Sequence, residues 1–149
     1  MGKRGSKPEA QFVYWDLRRK GMTQSEIARK FGITRQAVNK SMKLAERDVL
    51  YRLLDTAQTS GILVEWQNAN KGVLIGITPQ LGNLGCVMVL DAGNKIRIFY
   101  DQTGSKDAKV RARVMRELDE VLNKTLGLRV DPKMEFKHLI KLIVRGSEF

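Results

Sequence analysis

The chain has 149 residues, 42% hydrophobic and 29% charged, the balance of a globular protein and not of a disordered tail. Its net charge is +11, and the one Cys and one His exclude a Cys/His zinc site and an intramolecular disulfide. Residues 1–50 hold 12 Lys/Arg against 5 Asp/Glu, whereas residues 51–149 hold 15 against 11, so the positive excess gathers toward the N-terminus.

A basic balance suits DNA, RNA or an acidic membrane surface, and only its location along the chain decides among them. No stretch approaches the ~18 apolar residues of a membrane span. The N-terminus is basic but lacks the hydrophobic run of a secretory signal. A lone thiol in an apolar run (Cys86 in GCVMVL) fits a buried, reduced cysteine and a cytoplasmic location.

Residues 1–7, MGKRGSK, form a basic arm without periodicity. Lys3, Arg4 and Lys7 suit a DNA backbone or a minor groove, although a solubilising tail reads the same. Pro8 suits a helix start, and Phe12, Val13, Trp15 and Leu17 give a helix over about Glu9 to Lys20 its apolar side. Arg18, Arg19 and Lys20 near its end complement the helix dipole and stand within reach of phosphate.

The next stretch, GMTQSEIARKFGITRQAVNKSMK, carries the strongest pattern. Thr23 followed by Glu26 is a capping box, and Ile27, Ala28 and Phe31 make the inner side of a short helix. Gly32 stands where the helix must end in positive φ. Thr34 then caps a second helix with Ala37, Val38 and Met42 inward, while Ser41 falls where a larger apolar residue is usual. Small Ala28 permits a close crossing, and Ile27, Phe31, Ile33 and Val38 fix its angle. This is the pattern of a DNA-binding helix-turn-helix; an ordinary helical hairpin with a solvated face is the bland alternative.

The outer face of the second helix is polar. Arg35, Gln36, Asn39 and Lys40 are the base-reading candidates, since Arg matches guanine and Gln or Asn matches adenine in two-point contacts. Thr34, Lys43, Arg29 and Lys30 suit phosphate positioning.

Thr23, Gln24, Glu26, Ile27 and Ala28, then Gly32, Ile33, Thr34, Arg35, Ala37 and Val38, resemble the helix-turn-helix of sigma-factor region 4 and of archaeal Tfx-type transcription regulators. The resemblance covers about a third of the chain. It implies an N-terminal tri-helical DNA-binding unit and a role in transcription, without a target sequence. It leaves the other two-thirds unassigned.

The second helix meets neither Gly nor Pro until Ser60-Gly61, and Ala45, Val49, Leu50, Leu53, Leu54 and Ala57 recur along it. A stripe of that kind must bury itself, against the C-terminal part or against the same helix of a second copy. Short β-branched runs follow at 62–66, 72–78, 86–91 and 95–101, separated by turns at 68–72, 79–85 and 92–94. GVLIGIT and CVMVL are so apolar that they must be central or covered. Asp107 to Leu126 reads as a covering helix with Val110, Val114, Leu118, Val121 and Leu122 inward and Gly127 as its cap. After Asp131-Pro132, MEFKHLIKLIV reads as a last helix, with a strand as the alternative. Residues 146–149, GSEF, match the peptide that adjacent BamHI and EcoRI sites encode, a possible cloning scar, so they are left out of the functional reading.

The expected fold class is α+β: a tri-helical helix-turn-helix unit with a long connecting helix (8–60) and a small antiparallel sheet with covering helices (61–145). Glu65, Asp91 and Asp101 stand at strand positions a nuclease would use for metal, but no short-spaced acidic pair accompanies them. Asp91 and Asp101 read better as turn residues. The glycines make neither a P-loop nor a dinucleotide fingerprint, and His138 has no identifiable catalytic partner.

The expectation is therefore a non-enzymatic regulator of transcription that binds double-stranded DNA as a homodimer, without cofactor, metal or membrane association. A DNA-processing protein (nuclease or recombination accessory) and a non-specific architectural protein are the competing classes. For the α+β part three tasks stay open: dimerisation, docking of the transcription machinery, or binding of a small effector through Trp66, Gln67 and Tyr100. Dimerisation is favoured, because the long stripe and the apolar strands both need cover.

Overall fold

The computed structural model describes residues 8–147, and its first three elements are helices: α1 (Pro8–Arg19), α2 (Gln24–Phe31) and α3 (Arg35–Thr59). Local chemistry sets their ends. Thr23 Oγ1 accepts from the Glu26 amide at 3.1 Å and Glu26 Oε1 accepts from the Thr23 amide at 3.0 Å, which closes the capping box. Gly32 ends α2 at φ 65°, and Thr34 Oγ1 caps α3 by accepting from the Ala37 amide at 3.0 Å.

Tyr14, Ile27, Ala28 and Val38 form the small core among these helices. Two inward positions differ from the sequence expectation. Ala37 is exposed and Ser41 is buried in its place, because the helix turns its 38, 41 and 45 positions toward the rest of the chain. Phe31 keeps 38% of its surface, and its ring meets Tyr14 edge-on at 5.0 Å between centroids.

Four strands follow as an antiparallel meander: β1 (Leu63–Asn68), β2 (Val73–Thr78), β3 (Leu84–Leu90) and β4 (Ile96–Tyr100), paired in that order. A bulge between Val64 and Trp66 interrupts β1, which is one edge of the sheet. Two helices close the described chain, α4 (Ala108–Leu126) and α5 (Phe136–Gly146). Asp107 Oδ1 caps α4 and Gly127 ends it at φ 69°. The observed class is therefore α+β, as expected.

Alternation along the central strands divides the core in two. Val73, Ile75, Val87, Val89 and Phe99 face α4 and α5, where Met115, Leu118, Leu122, Leu139 and Ile143 cover them. Leu74, Cys86, Met88 and Leu90 face the other way, onto Ala45, Val49, Leu53 and Ala57 of α3 and Trp15 of α1. Ala45, Val49, Leu53 and Ala57 of the α3 stripe are thus covered within the chain, whereas Leu50 is half-buried and Leu54 exposed; cover stabilises by about 1.5–3 kcal/mol per fully buried large apolar side chain. Burial raises the Cys86 thiol above its ordinary pKa, and the group is inert where it stands.

Arg19 departs most from its expected place. It points inward with 2% of its surface exposed, not toward phosphate. Its Nε donates to Asp16 at 2.7 Å, Nη1 to the carbonyls of Leu90 at 2.6 Å and Lys71 at 3.2 Å, and Nη2 to that of Asp91 at 3.3 Å. Lys71 Nζ returns a bond to the Arg19 carbonyl at 3.1 Å. Gly72, at φ 71°, is the glycine this junction requires: a Cβ there would come within 2.6 Å of the Trp15 ring. The three-helix unit and the sheet are bolted together here.

The acidic strand-end residues serve turns. Asp91 Oδ1 accepts from the amides of Gly93 and Lys95, both at 2.9 Å, and Asp101 Oδ1 accepts from the Thr103 amide at 2.8 Å and its hydroxyl at 2.6 Å. Of the terminal tetrapeptide, Gly146 ends α5 and Ser147 is buried, its hydroxyl donating to Ile143 O at 2.6 Å and its carbonyl accepting from Asn68 at 3.0 Å. Residues 148–149 lie outside the described residues, as does the arm at 1–7. No helix among the described residues is long and apolar enough to cross a membrane.

Candidate nucleic-acid interface

The first ten residues from the α3 cap, Thr34 to Lys43, contain no carboxylate; Glu46 and Asp48 come only a turn later. Thr34, Arg35, Gln36, Lys40 and Lys43 are exposed and Asn39 is half-buried. Helical spacing puts Arg35, Asn39 and Lys43 in one row and Gln36, Lys40 and Lys43 in the next. The row spans about 12 Å, at 1.5 Å per residue, close to the width of a DNA major groove. Beyond it the same helix turns to pack on the sheet, so the outward end is held by a mounting some ten residues long.

Asn39 is oriented by a neighbour: Gln24 Nε2 donates to its Oδ1 at 3.3 Å. A carbonyl oxygen has two lone pairs, so Asn39 keeps one acceptor site and both amide hydrogens for a base edge. Gln24 also belongs to a shallow polar recess formed with Arg18, Thr23, Ser25 and Arg35 at the start of α2. The capping box occupies the amides of Thr23 and Glu26, while those of Gln24 and Ser25 have no acceptor within the helix. Two outward amides, the positive end of the helix dipole and two guanidinium groups make a seat for a phosphate. The bond from the Thr23 amide, then that from its hydroxyl, holds the Glu26 carboxyl below its ordinary pKa, so its charge serves the cap.

Arg29 and Lys30 are exposed in the last turn of α2, about 9 Å along its axis from this recess. They do not join the Arg18–Arg35 group. Lys3 and Arg4 lie outside the described residues. Sequence reasoning missed Gln24 and Ser25; the signal was present in the capping box itself, which marks the next two amides as unspent.

Elsewhere, Glu65, Asp91 and Asp101 do not assemble, and among the described residues no group of His, Cys, Asp or Glu is placed to hold a metal ion. Trp66, Gln67 and Tyr100 do not converge either: Trp66 packs on the α4–α5 core, Gln67 is exposed, and Tyr100 lines a separate cavity. No protein-family model, curated protein or solved structure matches the chain.

Proposed function

We propose that the protein is a cytoplasmic, sequence-specific DNA-binding regulator of transcription, with α2 and α3 acting as a helix-turn-helix. The observation that carries the reading is the carboxylate-free, outward face from Thr34 to Lys43 on the end of a helix whose other half is locked into the core. In this reading α3 enters the major groove, with Arg35, Gln36, Asn39 and Lys40 at base edges and Lys43 on phosphate. The recess at Gln24 and Ser25 takes a backbone phosphate and sets the angle of entry.

The active species is a homodimer, because one module makes too few base contacts for a specific site. With most of the α3 stripe covered internally, the contact surface is a different one. Leu54, Leu63, Val64 and Leu81 are all exposed, and a groove between the end of α3 and β1 runs among the first three of them. The β1 bulge breaks the regular strand edge, so the surface favours side-chain packing over strand addition.

Selection of bound duplexes from a random library, at near-physiological salt and without added metal, tests the reading. Enrichment of a palindrome with half-sites about 34–36 Å apart supports both the reading and the dimer. Binding without an enriched motif, collapsing as salt rises, overturns it in favour of an architectural protein that touches phosphates only.

A further inference from the structure

On the α4–α5 side of the sheet, a cavity of about 510 Å³ opens between β4 and the first turns of the two helices. Its floor is apolar and rigid. Phe99, Met115, Leu118 and Leu139 line it and are buried members of the core. Phe136 closes one wall and is pressed flat on β3: a Cβ at Gly85 would come within 2.7 Å of its ring. A volume of this size is that of a preformed small-molecule site.

The rim is polar and carries both signs, with Arg111 and Lys133 beside Asp101 and Glu135. Among the described residues Arg111 has one partner, the Ser105 carbonyl, which accepts from Nη1 at 3.0 Å; no carboxylate pairs with it. Of the two acids, Asp101 accepts from the amide and hydroxyl of Thr103 through Oδ1, and Glu135 pairs with Lys137 at 3.5 Å; neither contacts Arg111. Helix α5 starts at the same rim with no side-chain cap; the His138 amide donates to the Glu135 carbonyl at 3.0 Å, which leaves those of Phe136 and Lys137 without an acceptor in the helix.

We propose that this cavity binds a small apolar monocarboxylate. The hydrocarbon or aryl body rests on Phe99, Met115, Leu118 and Leu139, and the carboxylate meets Arg111 at the rim, helped by the start of α5. A guanidinium with free donors selects a carboxylate over an alcohol of the same shape, because only the anion makes charge-assisted bonds. The site uses the sheet face away from α3, so its test does not depend on DNA reading.

The full chain is titrated calorimetrically with decanoate and with naphthalene-1-acetate, each beside its uncharged alcohol. The two pairs separate a chain-like from an aromatic body. At least one acid is expected to bind about tenfold or more tightly than its alcohol. Arg111→Gln should abolish that preference while leaving the alcohol unchanged, and Arg111→Lys should restore part of it. Ala112→Trp, at an exposed helix position lining the cavity, should block acid and alcohol alike. Circular dichroism checks that each variant is folded. Equal binding of acid and alcohol, an unchanged preference in Arg111→Gln, undiminished binding to Ala112→Trp, or no binding of any probe overturns the proposal.

Discussion

The guanidinium of Arg19 lies over the ring of Trp15, 4.5 Å from its centroid, at the point where α1 meets the ends of the sheet strands. Stacking and four hydrogen bonds compensate a buried charge that would otherwise be costly, and burial is what lowers the Arg19 pKa, with Asp16 opposing it. Removing the cation leaves Asp16 with Lys20 alone and strands the carbonyls of Lys71 and Leu90. Arg19→Ala is expected to destabilise the protein by about 3–5 kcal/mol in urea denaturation. Base preference, measured on the folded fraction, should not change.

Under the proposed DNA reading, the contacts of α3 should divide into base-reading and phosphate-holding ones. Arg35→Ala or Asn39→Ala should cost about 1–3 kcal/mol on the specific duplex and relax one base position. Lys43→Ala should weaken all sequences evenly and reduce the salt slope by about 1. Filter binding across a salt series on specific and random duplex separates the two behaviours. Equal losses on both duplexes for Arg35→Ala would mean that this side chain holds phosphate.

The capping box makes a pH-dependent contribution whose sign is fixed by Glu26. Its folded pKa is depressed by the bonds from Thr23, so the stabilisation is present above the ordinary glutamate value and is lost as pH falls through the folded one. Glu26→Gln should therefore be less stable than the parent at neutral pH and converge with it in acid, once the carboxyl is protonated in the folded state as well. Denaturant midpoints at the two pH values give the comparison. A gap that persists undiminished in acid would assign the effect to packing instead.

The exposed Leu63 and Val64 on β1 supply a test of association. Leu63→Glu should shift sedimentation from dimer to monomer and weaken binding to a two-half-site duplex by tenfold or more. A single half-site should bind as before. An unchanged sedimentation coefficient would place the dimer contact on another surface.

The helix ends were legible because their chemistry is local. Thr23, Thr34 and Asp107 cap, and Gly32 and Gly127 adopt positive φ, all within a few residues of what they terminate. The central strands were legible as apolar runs because both their faces are covered. Arg19 was not legible: its carbonyl acceptors lie 52, 71 and 72 residues away, and near the end of a helix an arginine reads as a dipole partner or a phosphate ligand. The stripe on α3 had two covers open to it, and its need for cover was read in favour of a dimer; only assembly of the sheet shows that the chain covers most of it itself. For the same reason the cavity near Arg111 was invisible, since it collects side chains from residue 99 to residue 139. The Ala37–Ser41 exchange has a smaller cause. A short hydroxyl can face a crowded helix crossing, so Ser41 keeps the inward position its place in the pattern indicates, while hydrophobicity alone misassigned Ala37.

Because Trp15, Arg19, Lys71 and Gly72 interlock, the three-helix unit cannot be treated as a detachable cartridge. A chimera that grafts residues 8–60 onto a foreign partner would expose Trp15 and leave the lower half of α3 naked. Under the proposed DNA reading, a change of specificity is thus confined to surface replacements on α3 itself, where Arg35, Gln36, Asn39 and Lys40 can vary without disturbing the junction.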